Sequence, residues 1–220
     1  MNNYNVETAE YLKHGLTLFQ CGLFAETEFE HVQRYCDLIR PRGTVVDMGA
    51  GVGTMGKLMR TICPEVQQVI NVTNSIEQAK LIDASKETVI LSDFHAVTKI
   101  PDGSADVVMF NESFGYGDPA ALLTESARIL KTNGRLVVKD FSVDKRLLDV
   151  IVLPGWDYRV FPQHEILHTA AKSHLRCLSV SHPTTYLTRW ERFMQQSKMA
   201  QWHGTENYGG RSAVFVFVRV

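Results

Sequence analysis

The stretch that decides the fold is Thr44-Val45-Val46-Asp47-Met48-Gly49-Ala50-Gly51-Val52-Gly53, where an apolar run passes through an acidic residue into alternating glycines. The apolar run predicts a short buried strand, and "TMGKLMRTI" at 54–62 predicts a helix directly after it. Alternating glycines at such a turn let the backbone approach a ligand closely, and the helix N-terminus offers free N–H groups to an anionic group. The sequence therefore predicts a ligand-binding loop, since its place between strand and helix adds to a GxGxG pattern that alone is weak.

Predicted strands and helices alternate from residue 44 onward. The strands are short and almost wholly apolar, which is typical of a parallel sheet buried on both faces by helices. In open sheets of this kind ligands bind at the carboxyl ends of the strands. We predict an α/β, Rossmann-like fold with a mostly parallel, seven-stranded sheet, whose strands lie at 44–49, 66–72, 87–93, 105–111, 135–141, 176–182 and 212–220.

Length and composition indicate one globular domain over residues 1–220. Its formal net charge of -1 argues against a dedicated nucleic-acid binder. The four cysteines form no CxxC pair, so they suggest neither a zinc site nor a disulfide framework, and scattered thiols fit a reducing cytosol. No apolar run is long enough for a membrane span, and the polar N-terminus lacks a signal-peptide core. We expect a cytoplasmic protein.

Two helices are predicted within the first 40 residues, and one of them, at 26–39, places Phe29, Val32, Cys36 and Ile39 at helical spacing. Near the end of the chain, a further helix is predicted at 184–200, inserted before the last strand. We interpret 1–40 as a helical lid or substrate segment and 184–200 as a wall of the acceptor pocket. Plain core packing is the commoner explanation for the aromatic stripe on the second segment.

Two ligands compete for the glycine loop. A dinucleotide motif, G-x-G-x-x-G, can be counted over 51–56, but the acidic residue before the first glycine favours another cofactor. Asp47-x-Gly49-x-Gly51-x-Gly53 resembles the motif of class I S-adenosylmethionine (SAM)-dependent methyltransferases, whose loop holds the methionine portion of SAM. The resemblance implies cofactor contacts from Asp47, Gly49, Ala50, Gly51 and Gly53.

The exits of the second and third strands extend this resemblance. "VTNSIEQ" at 72–78 is similar to the "VTxSxxQ" variant of methyltransferases related to cyclopropane fatty-acid synthases and terpene-diphosphate C-methyltransferases. It implies ribose contacts from Thr73 and Gln78, with Asn74 departing from the commoner apolar residue; Asn74 or Ser75 can also cap the next helix. After the third strand, Asp93 can accept the amino group of adenine and Phe94 can pack on the base. The alternative is a turn aspartate beside a core phenylalanine.

The exit of the fourth strand, "MFNESFGYGD" at 109–118, carries one carboxylate among aromatic residues. It lacks the proline pair of adenine-directed DNA methyltransferases and resembles the corresponding region of the geranyl diphosphate C-methyltransferase family. Methyl transfer to an alkene leaves a carbocation, which aromatic faces stabilise by roughly 0.5–2 kcal/mol each. The resemblance implies that Glu112 is the general base, with Phe114 and Tyr116 beside it and Asn111 holding SAM. Alternatively, Glu112 binds the amino group of SAM or only orders the loop.

The function predicted first is methyl transfer from SAM, which becomes S-adenosylhomocysteine, to a carbon atom of a small acceptor such as an isoprenoid diphosphate. A diphosphate acceptor would bring Mg²⁺ as a cofactor and would find clamps in Arg159, Arg189 and Arg192, with Trp156 and Tyr158 lining the pocket. A homodimer is an open alternative to a monomer. N- or O-methylation of a small metabolite, modification of nucleic acid and non-catalytic SAM binding are the competing functions.

The sequence also contains one zinc-hydrolase pattern, His164-Glu165-Ile166-Leu167-His168, on a predicted helix. No third ligand follows at the spacing of a metzincin, and the helix should pack on the flank of the sheet. We therefore interpret it as an amphipathic helix with Ile166 and Leu167 facing inward, and we predict no protein metal site.

Overall fold

The computed structural model describes residues 4–18, 23–143, 151–152, 158–184 and 211–220. Its helices are α1 (Tyr4–Lys13), α2 (Glu28–Ile39), α3 (Thr54–Ile62), α4 (Ile76–Leu81), α5 (Pro119–Ile129) and α6 (Gln163–Lys172), with a 3₁₀ turn at Phe114–Tyr116. Its strands are β1 (Gly43–Met48), β2 (Val66–Thr73), β3 (Thr88–Leu91), β4 (Ala105–Asn111), β5 (Leu130–Val143), β6 (Ile151–Val152), β7 (Arg159–Pro162), β8 (Leu175–Ser181) and β9 (Arg211–Arg219). The predicted pocket helix at 184–200 lies, beyond its first residue, outside the described residues.

The sheet confirms the predicted Rossmann-like architecture. Strands β3, β2, β1, β4 and β5 lie side by side in that order and run parallel. Strand β9 pairs antiparallel with β5, and β8 pairs antiparallel with β9, so the directions of the last two strands are now defined. The carboxyl ends of the five parallel strands meet at one edge, where the predicted site residues lie.

All seven predicted strands are present, and two further strands bring the sheet to nine in the described part of the chain. The two additional strands, β6 and β7, form a short antiparallel pair. They arise because β5 continues beyond the end of β4 at Asn111, and β7 pairs with the exposed edge at Ser142 and Val143. This extension of the sheet stands beside the exit of β4.

Each face of the sheet carries its own apolar core. One core lies beneath α5 and α6 and includes Val46, Phe110 and Val138; the other lies beneath α2 and α3 and includes Val45, Met109 and Val137. The alternation of neighbouring residues between the two cores follows from the two-residue period of a strand. Helices therefore cover both faces, as predicted.

Helix α2 is present where the sequence predicts a helix, but its buried face differs from the predicted stripe. Thr27 caps its N-terminus by accepting a hydrogen bond from the backbone N–H of Glu30 at 3.2 Å. Phe29 is 52% exposed, whereas His31 and Tyr35 are buried beside Val32, Cys36 and Ile39. The buried face therefore keeps three of the four predicted apolar positions and adds His31 and Tyr35 in place of Phe29.

Among the described helices, none has the length and apolar character required to span a membrane.

Candidate active site

The glycine loop after β1 adopts a backbone that only glycine accepts readily. Gly49, Gly51 and Gly53 have φ values of 84°, 56° and 79°, in the left-handed region. The N–H groups of Gly49 and Ala50 both donate to the Val72 carbonyl at 2.9 Å, which fixes the loop to the end of β2. Gly53 is the N-cap of α3. The loop is thus folded tightly at the carboxyl edge of the sheet, as the sequence predicts.

We expect Gly49→Ala to lower the free energy of unfolding by about 2–4 kcal/mol, because it combines backbone strain with a clash. A Cβ atom at this position would lie 2.5 Å from Ser113 Cβ, and Ser113 is held by a hydrogen bond from its hydroxyl to the Met48 carbonyl. Chemical denaturation measures the loss. Gly103→Ala is the control, since Gly103 has φ 61° but only a side-chain atom of Arg219 nearby, at 3.9 Å. Equal losses for the two variants would contradict the proposed clash.

A row of buried polar side chains crosses the sheet at the carboxyl ends of β2, β1, β4 and β5. Asn71 pairs in register with Asp47, and Asn111 pairs with Lys139. All four side chains follow the apolar residues of the α2–α3 face at a spacing of two, and all are 7% exposed or less. Protein cores rarely hold such groups without a functional or structural reason. The row marks the place where this face of the sheet changes from an apolar core to buried polar side chains.

Asp47 and Asn111 lack hydrogen-bond partners among the described residues. Both carboxylate oxygens of Asp47, both amide atoms of Asn111 and the Tyr35 hydroxyl are buried and unpaired. Burial raises the pKa of Asp47 to about 7; the Asn111 amide opposes the rise because it lies nearby, although the two side chains do not meet in normal hydrogen-bond geometry. Burial, reinforced by the charge of Asp47, also raises the pKa of Tyr35 well above its ordinary value. Unpaired buried polar groups cost free energy, so this set fits a ligand that supplies hydrogen bonds and positive charge.

Glu112, the predicted general base, lies at the exit of β4 in a buried ion pair. Its Oε1 atom contacts Lys139 Nζ, and the two side chains are 5% and 0% exposed. The backbone N–H of Glu112 also donates to the Lys139 carbonyl at 2.8 Å. Glu112 has φ 52°, an uncommon conformation for a residue with a side chain, and such strain is concentrated at functional sites. Lys139 was not predicted as a site residue because it lies within an apolar strand pattern.

Asp140, on the opposite face of β5, holds the loop that carries Glu112. Its carboxylate accepts hydrogen bonds from the backbone N–H groups of Phe114 at 3.0 Å and Gly115 at 3.3 Å, and from the Tyr158 hydroxyl. Burial raises the pKa of Asp140 to about 7 while the Tyr158 hydrogen bond opposes the rise. Asp140 was missed by the sequence analysis, but an acid at the end of a buried strand is the signal that could have identified it.

The predicted aromatic neighbours of Glu112 separate into two environments. Phe114 is 1% exposed and packs edge-to-face on Phe110 and Phe161, with centroid distances of 5.3 and 6.1 Å, inside the core. Tyr116 is half-buried and packs edge-to-face on Tyr158 at 4.7 Å. Of the two rings, only that of Tyr116 is partly exposed.

The predicted ribose-binding residues form a small network at the start of α4. The Thr73 hydroxyl donates to Gln78 Oε1 at 2.9 Å, and both side chains are buried. Ser75 caps the helix by accepting a hydrogen bond from the Gln78 N–H at 3.2 Å, while Asn74 is exposed. Thr73 and Gln78 therefore lie together, and the capping alternative is confirmed for Ser75.

The predicted adenine-binding pair diverges at the exit of β3. The Asp93 side chain is 68% exposed, whereas Phe94 is 8% exposed and packs edge-to-face on Phe110. Asp93 accepts hydrogen bonds from the backbone and the Nδ1–H of His95, and His95 Nε2 accepts one from the Asp118 N–H at 3.1 Å. His95, which the sequence analysis missed, thus joins the exits of β3 and β4.

The zinc-hydrolase pattern lies on α6, away from the row of polar side chains. Ile166 is buried, Leu167 packs partly buried against the core, and His164 and His168 are exposed, as expected for an amphipathic helix. No group of three or more His, Cys, Asp or Glu side chains within the described residues could hold a metal ion. Arg159 is exposed. Trp156, Arg189 and Arg192 lie outside the described residues.

Comparison with known proteins agrees with this geometry. Residues 46–138 match the model of a methyltransferase domain family. This match extends from β1 through the glycine loop into β5, so the part of the chain that carries the loop and the parallel strands is similar to methyltransferase domains.

The fold is similar to that of geranyl diphosphate C-methyltransferase from Streptomyces coelicolor A3(2), with a TM-score of 0.76 and 18% identity over 99% of this chain and 98% of that chain. It is also similar to the [4+2]-cyclase SpnF, with a TM-score of 0.76 and 16% identity over 98% of this chain and 94% of that chain. An uncharacterized 37.1 kDa protein in a transposon of Streptomyces fradiae is 31% identical over 117 residues, which are 50% of this chain and 33% of that protein.

Proposed function

We propose that the protein transfers the methyl group of SAM to a carbon atom of a small unsaturated acceptor, such as an isoprenoid diphosphate, with Glu112 as the proton acceptor. The observation that carries the proposal is the buried Glu112–Lys139 ion pair at the exit of β4, beside the unpaired Asp47 and Asn111. The structure of the similar geranyl diphosphate C-methyltransferase contains Mg²⁺, geranyl diphosphate and S-adenosylhomocysteine, which supports the choice of acceptor.

The residues of this chain fit SAM as a ligand. Asp47 and Asn111 offer hydrogen-bond acceptors and donors that lack partners, and a cationic ligand would offset the desolvation of the Asp47 carboxylate. The glycine loop allows close approach of the methionine portion, while Thr73 and Gln78 offer polar groups for the ribose. Asp93 and Phe94 stay the candidates for the adenine. Asn74, which is exposed, belongs to the rim of this proposed site.

When bound, SAM supplies an electrophilic methyl group. A new carbon–carbon bond to an alkene leaves a cation on the neighbouring carbon, and loss of a proton restores the double bond. Glu112 accepts that proton at its carboxylate. Tyr116 presents an aromatic ring near the cation, and Asp140 fixes the loop by holding the N–H groups of Phe114 and Gly115. We assign the role of Phe114 to supporting this loop from the core.

The test is incubation with SAM carrying a ¹³C-labelled methyl group and geranyl diphosphate as the first acceptor, followed by mass spectrometry and ¹³C NMR of the product. We expect one added methyl group bonded to carbon. A label on oxygen or nitrogen, found with a panel of small amines, acids and alcohols, would replace C-methylation by the alternative methyltransferase function. SAM binding without transfer to any acceptor would indicate another activity on this fold, as the similarity to a cyclase illustrates.

A further inference from the structure

Lys139 is unusual because it is a lysine with no exposed surface in the middle of a sheet. It lies between Val138 and Asp140 on β5, and its neighbours in register on β4 and β9 are Asn111 and Val214. Lysine is almost never fully buried unless it is paired. Its pairing with Glu112 therefore explains how the strand accommodates a buried lysine.

Lys139 contacts Glu112 through both its side chain and its backbone, and its ammonium also faces an aromatic ring. The ammonium contacts Glu112 Oε1, the Lys139 carbonyl accepts the Glu112 N–H at 2.8 Å, and Lys139 Nζ lies 5.8 Å from the centre of the Phe24 ring. Phe24 is 4% exposed and is itself fixed, since its N–H donates to His31 Nδ1 at 2.8 Å. The segment before α2 thus closes over the ammonium, which contacts aromatic carbon on one side and a carboxylate on the other.

The two nearby aspartates show what this environment does to a carboxylate that has no ammonium in direct contact. Burial raises the pKa of Asp47 and of Asp140 to about 7. Glu112 is comparably buried, but Lys139 supplies the compensating charge that a buried carboxylate requires. Among the described titratable groups, Asp140 and Tyr158 interact electrostatically with Glu112, and the rings of His31 and Tyr35 lie beside the Phe24 ring that faces the ammonium.

We propose that Lys139 is a positioning residue for proton transfer: its ammonium keeps Glu112 ionised and fixes the direction of its carboxylate. This rests on the proposed role of Glu112 as the proton acceptor. The proton moves from the acceptor carbon to a Glu112 oxygen while Lys139 keeps its own protons. The protonated Glu112 then leaves the buried ammonium without a counter-charge, which favours release of the proton and return to the resting ion pair.

The experiment compares Lys139→Met, Lys139→Arg and Glu112→Gln through the pH dependence of kcat, with geranyl diphosphate as acceptor. Removal of a neighbouring positive charge makes a carboxylate harder to ionise by about 1–3 pH units. We expect Lys139→Met to lose at least tenfold activity at pH 7, to recover as the pH is raised toward 9 and to bind S-adenosylhomocysteine within threefold of wild type. Lys139→Arg should keep the wild-type pH profile, since arginine stays protonated.

A second measurement needs no turnover. In protein labelled with ¹³C at the glutamate carboxyl, the resonance that Glu112→Gln removes is followed against pH with S-adenosylhomocysteine present. In Lys139→Met the Glu112 carboxyl resonance should begin to titrate at higher pH than in wild type. A titration that does not change overturns the proposal, and so does a loss of activity that is equal at every pH. If Lys139→Met does not fold, the pH dependence of kcat in Lys139→Arg tests the proposal instead. A shift of that pH profile away from the wild-type profile would contradict a role for the positive charge. Full activity of Glu112→Gln would instead refute the proposed base and leave the charge compensation measurable by NMR.

Discussion

Glu112→Gln is expected to reduce the rate of methyl transfer to carbon by about 10²–10⁴-fold, the usual contribution of a general base. The substitution preserves the size of the side chain and one acceptor oxygen, replaces the other oxygen by an NH2 donor and removes the proton acceptor. The effect should fall on kcat, because cofactor contacts are assigned to Asp47, Asn111 and the glycine loop rather than to Glu112. Single-turnover kinetics with saturating SAM and geranyl diphosphate measures this loss.

The same variant separates catalysis from folding. Glutamine leaves the buried ammonium of Lys139 without a charged partner, so a lower midpoint of thermal unfolding is expected as well. Glu112→Gln combined with Lys139→Met removes both charges and should recover stability without recovering activity. Glu77→Gln, on the exposed surface of α4, is the control and should change neither property. Recovery of activity in the double variant would assign the loss to the unpaired lysine and contradict a base role for Glu112.

The fold could be predicted because its signals are local. The strand at Val45–Met48, its acidic residue and the glycines after it lie within ten residues, and each obeys a rule of backbone geometry or burial. Extra strands β6 and β7 could not be predicted in the same way. They depend on how far β5 extends past β4, which is a relation between distant segments of the chain.

Two residues of the candidate site could not be predicted because their roles depend on partners that are distant in the sequence. Asp47, Asn111 and Glu112 lie at or directly after the carboxyl ends of strands, which is where ligand-binding residues are expected in a sheet of this kind. Lys139 and Asp140 follow apolar residues on the last part of a long strand, and their meaning depends on partners 27 and 18 residues away, Glu112 and Tyr158. A buried charge is informative only when its counter-charge is known.

We expect Asp47 to destabilise the ligand-free protein and to strengthen the binding of SAM. Its pKa in the folded protein, about 7, exceeds the ordinary value of 3.8. Folding therefore favours the protonated form, so the contribution of Asp47 to stability is greatest below pH 3.8 and is lost as the pH rises through 7. The difference between the two values corresponds to at most about 4 kcal/mol at high pH. Asp47→Asn cannot ionise, and we expect it to raise the free energy of unfolding of the ligand-free protein by about 1–4 kcal/mol at pH 8 and by much less at pH 4.

The same substitution should weaken SAM binding by about 10–150-fold, the value of a hydrogen bond that involves a charged group. Calorimetry adds a further signature: binding of cationic SAM at pH 6.5 should release protons from wild-type protein, because the ligand favours the ionised Asp47, and should release fewer from Asp47→Asn. Asp37→Asn, on the exposed side of α2, is the control and should leave stability and affinity unchanged. A stabilised Asp47→Asn that still bound SAM with wild-type affinity would show that the buried carboxylate does not contact the cofactor. Loss of both stability and SAM binding would show that Asp47 supports the loop. Only a gain in stability together with a loss of SAM affinity identifies a carboxylate that is kept unpaired for its ligand.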